Sequence, residues 1–214
     1  MIVFDWMTIN VSTTEPGSSV ADAFDVILQK KVKHLPVVKD NVLKGILADR
    51  DIKDFCLSGA TKLSGDQLRE ILAKTKVRDI MKDKVITTTP DAPVEDAALL
   101  MYERRIGCLP VMEDGRLCGI ISERDIFRAL MDITGVRHGG HRISVFIEDV
   151  PGSIKTVADI VRRHGFALQS ILTSYEKVPA GYRHIVIRTK GGGQFGAMKA
   201  ELMGAYRDVR VRKG

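Results

Sequence analysis

Between Val85 and Arg105 the chain reads VITTTPDAPVEDAALLMYERR: a β-branched stretch, a Pro90-Asp91 turn, then apolar residues at Val94, Ala97, Ala98 and Met101. The stretch has the composition of a short strand, and the spacing of the four apolar residues lays them on one face of a helix. Two short apolar runs follow, CLPVM and LCGII, parted by Glu113-Asp114-Gly115-Arg116. Asp-Gly between such runs predicts a hairpin turn. SERDIFRAL then opens a second helix with Ser122 at its N-cap, which aims backbone N–H groups and the positive helix end at whatever lies ahead. The predicted order is strand, helix, strand, strand, helix.

The pattern occurs twice. Sliding the sequence on itself by 74 residues aligns 3–53 with 77–127 without a gap, with 20 identities in 51 pairs. Leu35-Pro36-Val37 matches Leu109-Pro110-Val111, and Arg50-Asp51-Ile52 matches Arg124-Asp125-Ile126. An ungapped match of this length predicts two copies of one supersecondary unit. Between the copies, SGDQLREILAK has a capping-box pattern, Ser64 with Gln67, ahead of Leu68, Ile71 and Leu72, and reads as a short linking helix.

Beyond Gly135 the pattern changes. VRHGGH reads as a linker whose His138 and His141 lack a metal-ligand spacing. RISVFIEDV alternates as a strand with Ile143, Val145 and Ile147 on one face. PGSIKTVADIVRRHG predicts a helix with Pro151 in its first turn and Gly165 as its stop. Strands follow over FALQSILTSYE and GYRHIVIRT, then a helix over 194–206 and a last strand at DVRVR. That βαββαβ order is the one of a ferredoxin-like sandwich. The expected organisation is α+β, with repeats over 1–60 and 77–135, a linker helix over 61–76, a linker over 136–140 and a third domain over 141–214.

Charge sharpens this division. Residues 1–135 carry 19 Lys and Arg against 21 acids, whereas residues 136–214 carry 14 against 6. No apolar run approaches the ~20 residues that span a bilayer, and MIVFDWM is too short for a signal peptide, so a cytoplasmic protein is expected. The three cysteines form no Cys-x-x-Cys pair, and Cys108, in an apolar strand, reads as a packed thiol. No Ser-His-Asp, paired-carboxylate or phosphate-loop constellation is present, so a non-enzyme is expected. Candidate chemistry gathers at the repeated helix start. Amides and Arg124 suit a phosphate and Asp125 a ribose diol, while the plainer reading is that Ser122 caps and Asp125 complements the dipole.

The Thr-containing stretch, the His-Leu-Pro-Val-Val and Cys-Leu-Pro-Val strands, and the Gly-apolar-apolar endings resemble tandem CBS (cystathionine β-synthase) domains, whose pairs form a Bateman module. The resemblance implies that adenine nucleotides (ATP, ADP, AMP) or S-adenosylmethionine bind between the units as regulatory ligands, with no cofactor required. It places the ribose on Asp51 and Asp125. The other implied contacts are Thr13, Lys33, His34, Leu35, Pro36, Ala48 and Arg50 in the first copy, and Ile86, Thr87, Gly107, Cys108, Leu109, Pro110, Ser122 and Arg124 in the second. Ala48 stands where the second copy has Ser122, so the two clefts are expected to differ.

The corner Glu148-Asp149-Val150-Pro151-Gly152-Ser153-Ile154 resembles the ACT domain, which implies an effector site at Asp149, Pro151, Gly152, Ser153 and Ile154. The alternative is an RNA-recognition motif, with echoes at Val145-Phe146-Ile147 and Gly181-Tyr182 and with Arg183 and Arg188 as nucleic-acid contacts. Arg183-His184 interrupts the basic aromatic strand that this motif needs. Tandem CBS units followed by an ACT-like domain are similar to the acetoin-utilisation proteins of the AcuB family, which implies a homodimeric regulator with a protein partner.

Overall fold

The computed structural model describes residues 1–59 and 65–213, so Ser64 and its capping-box pattern lie outside the described residues. The chain divides into two compact units, Met1–Phe127 and Arg128–Gly214. Among the described residues no helix is long and apolar enough to cross a membrane.

In the first unit each repeat presents a helix, a hairpin and a second helix. The elements are α1 (Val20–Lys30), β1 (His34–Lys39), β2 (Val42–Ala48) and α2 (Asp49–Gly59), then α3 (Gly65–Lys74), then α4 (Val94–Arg104), β3 (Cys108–Glu113), β4 (Arg116–Ser122) and α5 (Glu123–Ile133), of which only the residues through Phe127 belong to this unit. Local chemistry repeats with the sequence. Lys31 and Arg105 end α1 and α4 in the left-handed region, each at φ 53°, and their N–H groups return to the last turn. Both hairpin turns have positive φ at their two central residues, Asp40 and Asn41 in one, Asp114 and Gly115 in the other. This is the conformation whose twist matches the flanking strands.

The strand predicted at the start of each repeat is reduced to one parallel bridge, Thr14 to Val37 and Thr88 to Val111. Thr88 donates to the Pro110 carbonyl and accepts from Met112; Thr14 does the same with Pro36 and Val38. The neighbouring donor on that side of β3 or β1 would be the N–H of residue 110 or 36, and proline has none.

The two repeats exchange their leading segments. Thr8, ahead of α1 in the first repeat, makes paired backbone bonds with Ile120 in β4, and Lys82, ahead of α4 in the second, makes them with Ile46 in β2. Val3, Trp6 and Met7 accordingly pack with Leu109, Val111 and Ile121, while Val77, Ile80 and Met81 pack with Leu35, Val37 and Leu47. The repeated glycines of β2 and β4 admit this crossing. A Cβ on Gly45 would lie 2.6 Å from Met81 Sδ and 2.8 Å from the Lys82 carbonyl oxygen; one on Gly119 would lie 2.5 Å from Met7 Sδ.

The second unit contains β5 (His141–Glu148), α6 (Ser153–Arg163), β6 (Ala167–Ser174), β7 (Tyr182–Lys190), α7 (Phe195–Ala205) and β8 (Arg210–Lys213). Its four strands form an antiparallel sheet in the order β6-β7-β5-β8, the arrangement expected from βαββαβ. Ile143, Val145, Ile147, Ile185 and Ile187 face Val157, Ile160, Val161, Met198 and Leu202 of the two helices. Pro151 lies before α6 and not in its first turn, because Gly152 at φ 87° bends the chain before the helix starts at Ser153.

Gly45→Ala is expected to destabilise the first unit by about 1–3 kcal/mol, because a fixed backbone oxygen stands in the way. The melting temperature should fall by roughly 2–4 °C per kcal/mol. Gly119→Ala, opposed by a flexible methionine side chain, should lower it less in the same calorimetric scan.

Candidate functional site

The repeated Arg-Asp-Ile stands where a strand turns directly into a helix. Ala48 ends β2 and Asp51 is the third residue of α2, so its carboxylate reaches back to accept the Ala48 N–H at 2.9 Å. Asp125 accepts the Ser122 N–H at 3.0 Å in the same way. This is one half of a capping box. The Ser122 hydroxyl donates to the Asp125 Oδ2 at 2.6 Å, so serine at the N-cap position serves the carboxylate. Asp51 lacks that hydroxyl and has Lys82 instead, with Nζ 3.0 Å from Oδ1.

A cleft opens beside Asp51. His34, Ile46, Ala48 and Arg50 flank it from the first repeat; Lys82, Lys84, Val85, Ile86, Ile106, Gly107, Cys108 and Pro110 close it from the second. Eight residues expected from the sequence therefore converge: His34, Ala48, Arg50, Asp51, Ile86, Gly107, Cys108 and Pro110. Lys82, Lys84, Val85, Ile106 and Ile46 were not foreseen. Lys82, Lys84 and Val85 arrive through the exchange of leading segments, which leaves no periodic trace in the sequence, whereas Ile46 lies in β2 and Ile106 between α4 and β3.

Other expected contacts stand elsewhere. Leu35 and Leu109 are core residues with 0% exposure, because as the second residues of β1 and β3 their side chains face the apolar clusters that include the helices. Pro36 is buried and lends its carbonyl to Thr14. Thr13 and Thr87 are exposed beside the bridging threonines, and exposed Lys33 uses its carbonyl to accept the Asp49 N–H. Ser122, Arg124 and Asp125 occupy the equivalent β4–α5 junction and do not line the Asp51 cleft.

The electrostatics of the cleft are lopsided, with Arg50, Lys82 and Lys84 facing one carboxylate, Asp51. Burial pushes the His34 pKa below its ordinary value and Arg50 adds to the effect; Asp49, Asp51 and Glu123 oppose it. Gly107 makes room for the ring, since a Cβ there would lie 3.2 Å from His34 Cε1. Burial, with Glu123 nearby, pushes the Cys108 thiol up to about 12, which makes it a packing group and no nucleophile near neutrality. The enclosed volume is about 80 Å³. Ligand pockets usually exceed roughly 300 Å³, so a nucleotide would require exposed side chains such as Lys82 to swing aside.

The family model described as CBS domain matches residues 3–58 and 77–132, together more than half of the sequence. The chain belongs to the CBS domain family. Solved structures are similar to this chain as well. CBSX2 in complex with AMP is 31% identical, with TM-score 0.53, over 62% of this chain and 97% of its own. The CBS domain pair of MJ0100, in complex with 5′-methylthioadenosine and S-adenosylmethionine, is 27% identical, with TM-score 0.52, over 61% and 95%. A Vibrio cholerae protein described as AcuB, for acetoin utilization, is 25% identical, with TM-score 0.55, over 64% and 96%. Curated relatives differ in length, and the chain spans from 21% to 92% of them.

In the unit beyond the CBS pair, an open groove of about 830 Å³ runs past Pro151, Gly152, Ser153 and Thr156, with Phe146, Tyr182 and Tyr206 as aromatic walls. Three of the five expected effector residues line it. Asp149 instead holds Arg183 at 2.6 Å, and Ile154 packs partly buried against the core. The arginines considered for nucleic acid are engaged: Arg183 with Asp149, and buried Arg188 with the carbonyls of Thr134 and Gly139.

Two outcomes follow from these environments. Iodoacetamide near neutral pH should leave Cys108 unmodified in the native chain and alkylate it after denaturation, as read by peptide mass spectrometry. Burial also lowers His141 and His184. For a lowered histidine the unfolded chain takes up the proton first, so stability is full above about pH 6.5 and declines as pH falls through the folded values. Urea midpoints measured from about pH 7.5 to about pH 5 should therefore decrease, and a flat profile would contradict the assignment.

Proposed function

We propose that this chain is a non-catalytic regulatory sensor whose CBS pair binds adenine nucleotides or S-adenosylmethionine. The observation that carries the reading is the convergence of Asp51 from the first repeat with Ile86, Gly107, Cys108 and Pro110 from the second in one cleft. Ile46, Val85, Ile86, Ile106 and Pro110 give a flat base apolar walls, Asp51 offers an acceptor to a ribose diol, and Arg50, Lys82 and Lys84 offer counter-charge to a phosphate. The AMP in CBSX2 and the adenosine compounds in the MJ0100 pair support this ligand class.

The mechanism is linkage. A ligand that prefers one arrangement of the repeats shifts that population and changes the surface a partner meets. A homodimer, cytoplasmic location and a regulated protein partner complete the proposal, and the likeness to the protein described as AcuB supports a place in acetoin or related carbon metabolism. The domain over 141–214 is read as an ACT-like effector domain. The groove at Pro151-Gly152-Ser153 favours this second regulatory site and has room for an amino-acid-sized effector.

Thermal scans with ATP, ADP, AMP, S-adenosylmethionine and the twenty amino acids test both sites. A ligand at a hundred times its dissociation constant adds about 2.7 kcal/mol of stability. Asp51→Ala should weaken binding about ten- to a hundredfold by calorimetry, the effect of removing a charged acceptor worth roughly 1.5–3 kcal/mol. Absence of heat with all four adenosine compounds would sink the cleft reading.

A further inference from the structure

We infer that the Asp51 cleft selects adenosine compounds that carry a phosphate, and that Lys82 enforces the choice. The inference rests on the nucleotide reading above and narrows it. One oxygen of Asp51 is committed to the Ala48 N–H at 2.9 Å, and the other faces Lys82 Nζ at 3.0 Å. The carboxylate is only 10% exposed, so its pairing is poorly screened, whereas the Lys82 side chain is 54% exposed and free to turn.

A ribose diol that reaches Asp51 must compete with that ammonium. An uncharged nucleoside takes the carboxylate and returns no counter-charge to Lys82, which lines the cleft with two further cations, Arg50 and Lys84. A phosphate on the same ligand supplies the missing anion, so the diol and the phosphate together exchange one ion pair for another. S-adenosylmethionine presents a sulfonium in that region and adds positive charge to three cations. Its pairing with Asp51 would again come at the expense of Lys82.

Lys82 is well placed for this role because its backbone is fixed by both hydrogen bonds to Ile46, each 2.9 Å. Only the side chain moves. The equivalent residue at the second junction is Thr8, which makes the same backbone pair with Ile120 and carries no charge, and there the Ser122 hydroxyl donates to Asp125. The substitutions Ala48 for serine and Lys82 for threonine make the two junctions chemically unlike.

The test is isothermal titration of the full chain and of Lys82→Gln with AMP, adenosine, 5′-methylthioadenosine and S-adenosylmethionine, with melting curves to confirm folding. The wild-type chain should bind AMP at least about tenfold more tightly than the other three. Lys82→Gln should weaken AMP about tenfold and leave adenosine and 5′-methylthioadenosine unchanged or tighter, so that the preference collapses. Raising the salt concentration should narrow the wild-type preference as well, a readout that needs no variant. Equal affinity of the wild type for AMP and 5′-methylthioadenosine, or a preference that neither salt nor Lys82→Gln alters, overturns the inference and leaves the nucleotide reading standing. Binding of none of the four, nor of ATP or ADP, removes both.

Discussion

The exchange of leading segments is the constraint on which the CBS pair depends. Each hairpin has only two strands of its own, and a two-stranded hairpin is marginal in water without further cover. Here the cover comes from the other repeat, through Thr8 on Ile120 and Lys82 on Ile46, with Val3 and Val77 completing the two apolar clusters. Gly45 lets the crossing backbone approach and Gly119 makes room for the Met7 side chain, and the cleft beside Asp51 exists because Lys82, Lys84, Val85 and Ile86 have been carried across to it.

The same dependence explains why Arg-Asp-Ile is written twice. Each aspartate caps its own helix through the preceding N–H, and Ile52 is buried at 1% exposure. Much of the repeat is thus required by the strand-to-helix junction before any ligand is considered. A carboxylate has more acceptor sites than the cap uses. The two copies part company in what else the carboxylate holds: Asp51 presents its other oxygen to Lys82, while Asp125 accepts the Ser122 hydroxyl on the same oxygen as the N–H.

Elements with a local signature were legible in the sequence. The Asp114-Gly115 hairpin, the helices over Val94–Arg104 and Ser153–Arg163, and the βαββαβ order of the last unit follow from turn chemistry and periodicity. The short strand ahead of Thr14 and Thr88 was misread because β-branched composition says nothing about whether the neighbouring strand has donors to give. Leu35 and Leu109 were placed at the ligand on motif membership, although a period of two puts Leu35 and Val37 on the core side of β1 and leaves His34 on the other. Lys82 was invisible as a site residue, since its role comes from a contact between segments far apart in the chain and from no pattern around it.

Pro36 and Pro110 have one more consequence. By withholding an N–H from the outer side of β1 and β3, they limit the leading threonine segments to a single bridge, and they also leave those sides poor templates for a foreign chain. Short, apolar, β-rich strands aggregate when transiently bared during folding, and the proline inside HLPVV and CLPVM breaks that signature. The residue that ends the native pairing so early is also a guard against the wrong kind.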